Sequence, residues 1–206
     1  MNIRPVFTLG VFACAALAGC SGSSSTPAGV TTSPALTLRA PGTPATIGTL
    51  TVSSTAFVTG TVMPPSVAQI GCGSGANISP QLSWSGAPAA TQSFVVTEFD
   101  QDAPTGVGFW HWTLFNIPAS ITTLATGAGT NPPAGSTSGL SDYGTVGYGG
   151  PCPPTGDGAH RYTFTVSALD EAAIPGVAAG ATGAFITFNI RGHILAQGTY
   201  LGLFSL

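Results

Sequence analysis

The sequence has very little charge. Only 5% of its 206 residues are charged, lysine is absent, and four arginines face seven acidic residues. An average soluble domain is about 25% charged. A net charge of −3 provides no basic surface for a phosphate backbone, which excludes a typical nucleic-acid-binding protein. The same scarcity excludes a charged coiled coil, and the mean hydropathy of +0.38 excludes a chain that is disordered throughout.

Signatures of several enzyme and metal-binding classes are missing as well. The sequence has no G-x-S-x-G elbow, no P-loop and no Rossmann fingerprint. It also has no CxxC pair and no HExxH spacing, so we expect neither a metal nor another cofactor. A zinc site built from two histidines and an aspartate is the weaker alternative.

The N-terminus contains no segment that could span a bilayer. Its apolar run, residues 6–19, is shorter than the ~20 residues that a membrane helix needs, and it follows Arg4. The run ends in Leu17-Ala18-Gly19-Cys20, which resembles the lipobox of bacterial lipoproteins. We predict a signal peptide over 1–19, cleavage before Cys20 and acylation of that cysteine. An ordinary signal peptide is the alternative.

Residue 21 adds a prediction about location. Ser21 resembles the outer-membrane sorting signal of lipoproteins, so the expected location is extracytoplasmic, lipid-anchored and on the outer membrane facing the periplasm. Residues 20–48 are rich in Ser, Thr, Pro and Gly and read as a tether. The folded domain is predicted over 49–206. Two cysteines remain there, Cys72 and Cys152, and an oxidising compartment favours a disulfide over two separate thiols.

The composition of the domain predicts a β-rich fold. There are 29 glycines and 17 prolines in the chain, which favours turns over long helices. Strands are predicted at 94–99, 110–115 and 161–169, with weaker ones at 50–58 and 81–84. In the strongest, 161–169, apolar residues alternate with Arg161, Thr163, Thr165 and Ser167, which is typical of a half-buried strand. Residues 127–158 predict a long loop. The segment 183–197 is ambiguous, because some of its apolar residues could share part of a helical face, whereas propensity alone favours a strand.

Reactive side chains are few enough that their positions are informative. Asp100 and Asp102 lie two residues apart at the end of one predicted strand, His111 lies on the next, and His160 precedes the strongest. Tyr148 lies in a Gly- and Pro-rich loop. Imidazole, phenol and backbone N–H groups are donors that suit a small anion. The alternative to an anion site is a purely structural role, in which the histidines only form hydrogen bonds within the fold and the aspartates only fix a turn.

Several motifs, in order, resemble the phosphatidylethanolamine-binding protein family, in its bacterial branch often labelled Raf-kinase-inhibitor-like. They run from residue 79 to residue 170: Ser79-Pro80-Gln81-Leu82-Ser83-Trp84, Asp100-Gln101-Asp102-Ala103-Pro104, His111-Trp112, Asn116-Ile117-Pro118, Gly149-Gly150-Pro151-Cys152-Pro153-Pro154, His160-Arg161-Tyr162 and Ala168-Leu169-Asp170. The resemblance implies an antiparallel β-sandwich, with a large central sheet packed on a smaller one and an anion pocket at one end. It also implies a short C-terminal helix, which residues 192–196 resemble. This expectation conflicts with the strand that propensity favours in 183–197.

The resemblance implies a set of pocket residues. These are Asp100, His111 and His160, with Asp102, Pro104, Tyr148 and Tyr162 close by. Two departures stand out: Gln101 replaces the usual proline between the aspartates, and residues 136–143 lack the Arg/Asn pattern frequent in bacterial members. His193 is expected to be structural.

The expected function is therefore non-catalytic binding of a small phosphorylated or other anionic ligand, such as phosphate or phosphoethanolamine, by a lipid-anchored domain. Two alternatives from other classes stay open. One is a phosphomonoester or ester hydrolase that uses the pocket histidines as acid and base. The other is a protein-interaction or inhibitor module regulated by the ligand.

Overall fold

The computed structural model describes residues 47–206. The predicted signal peptide, Cys20 and all but the last two residues of the predicted tether lie outside these described residues. Within them the chain is mainly β, as predicted, with two sheets and one short helix. The elements are β1 Gly48–Thr49, β2 Thr51–Ser53, β3 Thr61–Val62, β4 Leu82–Ser85, β5 Ser93–Asp100, β6 Phe109–Pro118, β7 Thr123–Leu124, β8 Thr137–Ser138, β9 His160–Leu169, α1 Gly183–Ile190 and β10 Ile194–Phe204.

The large sheet has the order β1-β10-β9-β5-β6-β8, with β3 pairing the other end of β10. Its central strands β10, β9, β5 and β6 are antiparallel, while β1 and β3 join β10 in parallel. The β5–β9 ladder is regular from Ser93↔Leu169 to Asp100↔Tyr162. This register brings the end of β5 and the start of β9 to the same end of the sheet.

The core lies between the two sheets. The small sheet, β2-β4-β7, contributes Leu82, Trp84 and Leu124 to it. The facing side of the large sheet contributes alternate residues of β5 and β9, for example Val96 and Phe164. The opposite side of the large sheet carries a second, smaller cluster beneath the helix. Both sides of the central strands are thus covered along much of their length.

The strand predictions hold for the central sheet and fail near the C-terminus. Strands β5, β6, β9 and β4 include nearly all the residues predicted for them, whereas the stretch 50–58 contains only the short β2. Residues Gly183–Ile190, which propensity alone assigns to a strand, form α1. The helix predicted from the resemblance is present, but residues 192–196 belong to a turn and to the start of β10 rather than to a helix.

Burial and capping explain this correction. Ile186 and Ile190 are both buried in the second cluster, whereas Phe188 between them is 69% exposed. A strand would place all three on one face, so this pattern fits a helix. Thr182 caps the helix by accepting a hydrogen bond from the N–H of Phe185. A Cβ at Gly183 would come within 2.4 Å of the Trp110 ring, so only glycine allows the helix to pack this closely. Tertiary contacts thus override local strand propensity.

Among the described residues, no helix is long and apolar enough to cross a membrane.

Candidate functional site

A cavity of about 180 Å³ opens at the end of the large sheet where β5 finishes and β9 begins. Side chains from β5, β6 and β9 form its base, and two loops form its walls. We call this cavity the pocket; its lining residues are Asp100, Ala103, Pro104, Thr105, Phe109, His111, Tyr143, Cys152, Pro153, Pro154, His160 and Tyr162. Five of the seven predicted site residues are among them.

A buried histidine–aspartate pair stands at the base of the pocket. The ring Nδ1 of His160 lies 2.7 Å from Oδ2 of Asp100, and the two residues are only 5% and 2% exposed. The other oxygen of Asp100 accepts the backbone N–H of Asp102 at 2.9 Å, which fixes the turn that follows β5. Because the carboxylate accepts, Nδ1 carries a proton and Nε2 is the nitrogen left to a ligand.

His111 is oriented in the same way by backbone carbonyls. Its Nδ1 lies 2.7 Å from the carbonyl oxygen of Gly149 and 3.2 Å from that of Gly150. Carbonyls only accept, so Nδ1 donates and Nε2 is again the free nitrogen. Burial lowers the pKa of His111, and its hydrogen bonds to the two carbonyls oppose this effect in part. The ring is therefore neutral at neutral pH in the free pocket.

Aromatic rings surround His111 and restrict its movement. Its ring lies 5.1 Å from the Tyr162 ring and 4.8 Å from the Phe109 ring. Tyr143 completes the group at 5.5 Å, and its hydroxyl donates to the carbonyl of Gly150 at 3.0 Å. Burial raises the pKa of Tyr143 to about 12, so the phenol stays protonated. The pocket therefore combines two imidazoles with a largely apolar wall.

One wall of the pocket, residues 149–154, is attached firmly to the rest of the domain. The side chain of Asn77 accepts the N–H of Gly150 at 2.7 Å and donates to the carbonyl of Tyr148 at 3.1 Å. A Cβ at Gly150 would lie 2.0 Å from the carbonyl oxygen of Val67, so this position requires glycine. These contacts present the carbonyls that orient His111.

The predicted disulfide between Cys72 and Cys152 is present, with a Cα–Cα distance of 5.5 Å and a separation of 80 residues. Closing a loop of that length stabilises a fold by about 4 kcal/mol in the chain-entropy model. Since Cys152 lines the pocket, this bond also fastens the wall itself.

Two predicted site residues do not line the pocket. Tyr148 is buried in the core, where its ring packs on Trp112 and its hydroxyl donates to the carbonyl of Val67 at 3.0 Å. Asp102 turns outward and accepts hydrogen bonds from the backbone N–H and the guanidinium of Arg161. Hydrogen bonding from Arg161 is the main reason why the pKa of Asp102 falls to about 2. Its contacts are those of a structural residue.

Sequence reasoning missed Tyr143 and Phe109 as pocket residues. Tyr143 comes from the segment 136–143, the one that lacks the Arg/Asn pattern frequent in bacterial members. Asp142 places it there, because its backbone N–H and its carboxylate bond to the carbonyl and N–H of Trp110 on β6. The sequence feature that could have indicated Tyr143 as a pocket residue is Asp142-Tyr143-Gly144 in a glycine-rich loop.

The chain is similar over its folded part to known proteins. The Escherichia coli protein YbcL is 47% identical over 130 residues, which cover 61% of this chain and 70% of YbcL. The crystal structure of YbcL, described as a new member of the mammalian PEBP family, superposes with a TM-score of 0.72 and 41% identity, covering 76% of this chain and 98% of the other.

A second relative matches from end to end. LppC of Mycobacterium tuberculosis, a candidate lipoprotein by its name, is 34% identical over 211 residues that span 100% of this chain and 98% of LppC. Residues 53–205 match the family described as Phosphatidylethanolamine-binding protein. With this match over most of the chain and the two-sheet fold, the chain belongs to the phosphatidylethanolamine-binding protein family.

Proposed function

We propose that this protein binds a small phosphorylated or similar anion in the pocket and holds it without turning it over. The observation that carries the proposal is the pair of buried histidines whose Nδ1 atoms are both occupied by acceptors of the protein itself. Their Nε2 atoms remain for a ligand. A cavity of about 180 Å³ suits a phosphate-sized headgroup better than a drug-sized molecule, which needs about 300 Å³ or more.

Proton uptake accompanies binding in this scheme. An anion beside His111 favours the charged imidazolium, which raises the histidine pKa that burial had lowered. The complex then holds one proton more than the separated partners do at higher pH. Affinity is therefore expected to fall as the pH rises above the lowered pKa of free His111, so the fall begins below about 6.5.

Imidazole NMR signals test this proposal directly, because the chain has only three histidines. Titration with phosphate and with O-phosphoethanolamine should shift the signals of His111 and His160 saturably. His111→Gln and His160→Gln should each weaken binding by about tenfold or more, the value of a hydrogen bond to a charged group. His193→Gln is the matched control, since His193 lies at the other end of β9 beside Asp170 and should leave affinity unchanged.

The outcomes separate clearly. An affinity that is flat from pH 5.5 to 8 contradicts the proton-coupled scheme. No saturable shift at millimolar ligand contradicts anion binding in the pocket and leaves the ligand-regulated interaction module as the function to test. Circular dichroism of each variant must match the wild type before a loss of binding is interpreted.

Hydrolysis is the second candidate, and one observation favours it. The carboxylate of Asp100 orients His160 as it would orient a general base. The hydroxyls of Thr105 and Tyr143 in the pocket, however, donate to the carbonyls of Gly108 and Gly150 rather than to an imidazole. A nucleophile activated by a base would need that contact. Turnover of a phosphomonoester or ester panel that His160→Gln abolishes would establish the hydrolase instead.

We infer that the domain is held at a membrane through acylated Cys20, on the outer membrane facing the periplasm. The lipobox-like sequence supports this inference, and so does the end-to-end similarity to LppC. Mass spectrometry of the N-terminal peptide tests it, because acylated Cys20 should be the first residue. A mature N-terminus elsewhere would contradict it.

A further inference from the structure

A second carboxyl group lies beneath the pocket, in the apolar interior. Glu98 is on β5 two residues before Asp100, so both side chains point to the same side of the sheet. Its cross-strand neighbours are Trp112 on β6 and Phe164 on β9. Glu98 is 0% exposed. A carboxyl group in such a position needs a physical explanation, because acidic residues are rarely buried unless they are paired.

Glu98 has no such pairing in the described part of the chain. Neither of its carboxyl oxygens forms a hydrogen bond with a described residue. The indole N–H of Trp112 and the hydroxyl of Tyr162, on the neighbouring strands, are likewise buried without a partner. Burying an ionised carboxylate in these conditions is far more costly than burying the neutral acid.

No described residue that faces Glu98 supplies a compensating positive charge. On its own strand the nearest titratable group is Asp100, which is already paired with His160. On β6 the nearest is His111, whose pKa burial lowers. Burial and then the charge of Asp100 raise the pKa of Glu98 well above its ordinary value.

The remaining groups around Glu98 are phenols. Tyr162 on β9 and Tyr143 and Tyr148 in the loop all have a pKa raised mainly by burial, so they stay uncharged. Of the arginines in the described chain, Arg161 lies on the opposite side of β9 and pairs with Asp102, and Arg191 is exposed after α1. No positive charge in the described part of the chain therefore balances an ionised Glu98, and a proton on the carboxyl group removes the need for one.

We propose that Glu98 is held as a neutral carboxylic acid beneath the pocket, and that its proton is a condition for anion binding there. The second half rests on the proposed function, whereas the first half does not. If Glu98 ionised, the pocket would carry a second negative charge close to the bound anion. A unit charge about 10 Å away at an effective dielectric constant near 20 weakens binding by roughly tenfold.

The charge of Glu98 can be measured without any ligand. The chain has only two glutamates, Glu98 and Glu171, so labelling glutamate with ¹³C at the carboxyl carbon gives two signals. The full chain carrying Glu171→Gln identifies which signal belongs to Glu98. We expect that signal to keep the position of the protonated acid at pH 7. A carboxylate signal for Glu98 at pH 7 would overturn the proposal.

Phosphate titrations of the full chain test the effect on the pocket. Glu98→Gln replaces the acid with a side chain of the same shape that cannot ionise. The ratio of its phosphate affinity to that of the wild type should be near one at pH 6. It should rise toward about tenfold as Glu98 ionises at alkaline pH. The decrease in phosphate affinity that the histidines cause at higher pH occurs in both proteins, so the ratio of their affinities reports on Glu98. Glu171→Gln should follow the wild type throughout.

The ways of failing are distinct. A ratio that stays flat while the ¹³C signal shows Glu98 losing its proton overturns the link to the pocket. If phosphate binds neither protein at any pH, the proposed function has failed, and the ¹³C signal still decides the state of Glu98. Glu98→Leu is the second variant if Glu98→Gln does not fold, since a core residue without polar atoms fits the same site.

Discussion

Strand β9 has a histidine between two carboxylates at each of its ends. At the pocket end His160 lies 2.7 Å from Asp100 and 3.6 Å from Asp157. At the other end His193 lies 3.0 Å from Asp170 and 3.6 Å from Glu171. The residue types and the distances are nearly the same. Burial differs: the side chains of His160 and Asp100 are 6% and 3% exposed, against 34% and 45% for His193 and Asp170.

The two ends of β9 differ in their surroundings rather than in their residue types. At the pocket end a cavity, a disulfide and aromatic walls remove water from the pair, which strengthens its electrostatic interactions. At the far end solvent screens the same groups, and a pair of that kind contributes little. The three ligand atoms of Asp170, Glu171 and His193 lie within 4.8 Å of one another, but exposed acidic groups commonly do so without binding a metal.

Asp100→Asn gives the largest expected difference between the two ends. The substitution keeps the shape of the side chain but removes the charge that His160 contacts in the buried pair. Breaking a buried pair from one side costs about 3 kcal/mol or more in the free energy of unfolding. Urea denaturation followed by tryptophan fluorescence measures it. The phosphate affinity should fall as well, because one of the two oxygens that accept from His160 and from the N–H of Asp102 becomes an NH2 donor, which weakens the orientation of the ring.

An Asp100→Asn variant as stable as the wild type would contradict this account. It would mean that the pair contributes no more than an exposed one despite its burial. The denaturant slope should be compared in the same experiment, since a changed slope indicates a changed unfolded state rather than a lost contact.

Asp157→Asn tests the second carboxylate at the pocket end, with a smaller expected effect. Asp157 is 46% exposed, and its Oδ2 lies 3.6 Å from Nε2 of His160, the atom we assign to the anion. The carboxylate therefore competes with the ligand. Removing it should raise the phosphate affinity about threefold, the value of a partly exposed ion pair. Stability should barely change. An affinity that falls would show that Asp157 supports the ligand instead.

Local pattern predicted most of the central sheet and little of the C-terminal region. β9 alternates apolar and polar residues so regularly that both its extent and its buried face follow from the sequence. In Gly183–Ile190, by contrast, strand formers adopt a helix because Ile186 and Ile190 are buried against the large sheet. That burial depends on residues distant in sequence, which periodicity cannot reveal.

The pocket shows the same division. Asp100, His111 and His160 could be identified because charged and imidazole groups are so rare in this sequence and lie at strand ends. Tyr148 and Tyr143, five residues apart in one loop, could not be distinguished in advance. Tyr148 points into the core and Tyr143 lines the pocket. The loop around them is held in place by the hydrogen bonds of Gly149 to His111 and of Gly150 to Asn77. Such loop geometry is set by long-range contacts.

Asp170→Asn has the smallest expected effect, and it makes the comparison quantitative. It is the same chemical change as Asp100→Asn, made next to His193 at the exposed end of β9. The backbone bond from the N–H of Asp170 to the carbonyl of His193 does not need the carboxylate, so the turn should persist. The unfolding free energy should fall by about 0.5 kcal/mol or less, and 0.5 M salt should remove most of that difference. Asp100→Asn should keep most of its cost at the same salt concentration, because solvent ions do not reach a buried pair. Equal losses for the two variants would refute the view that burial distinguishes the two ends of β9.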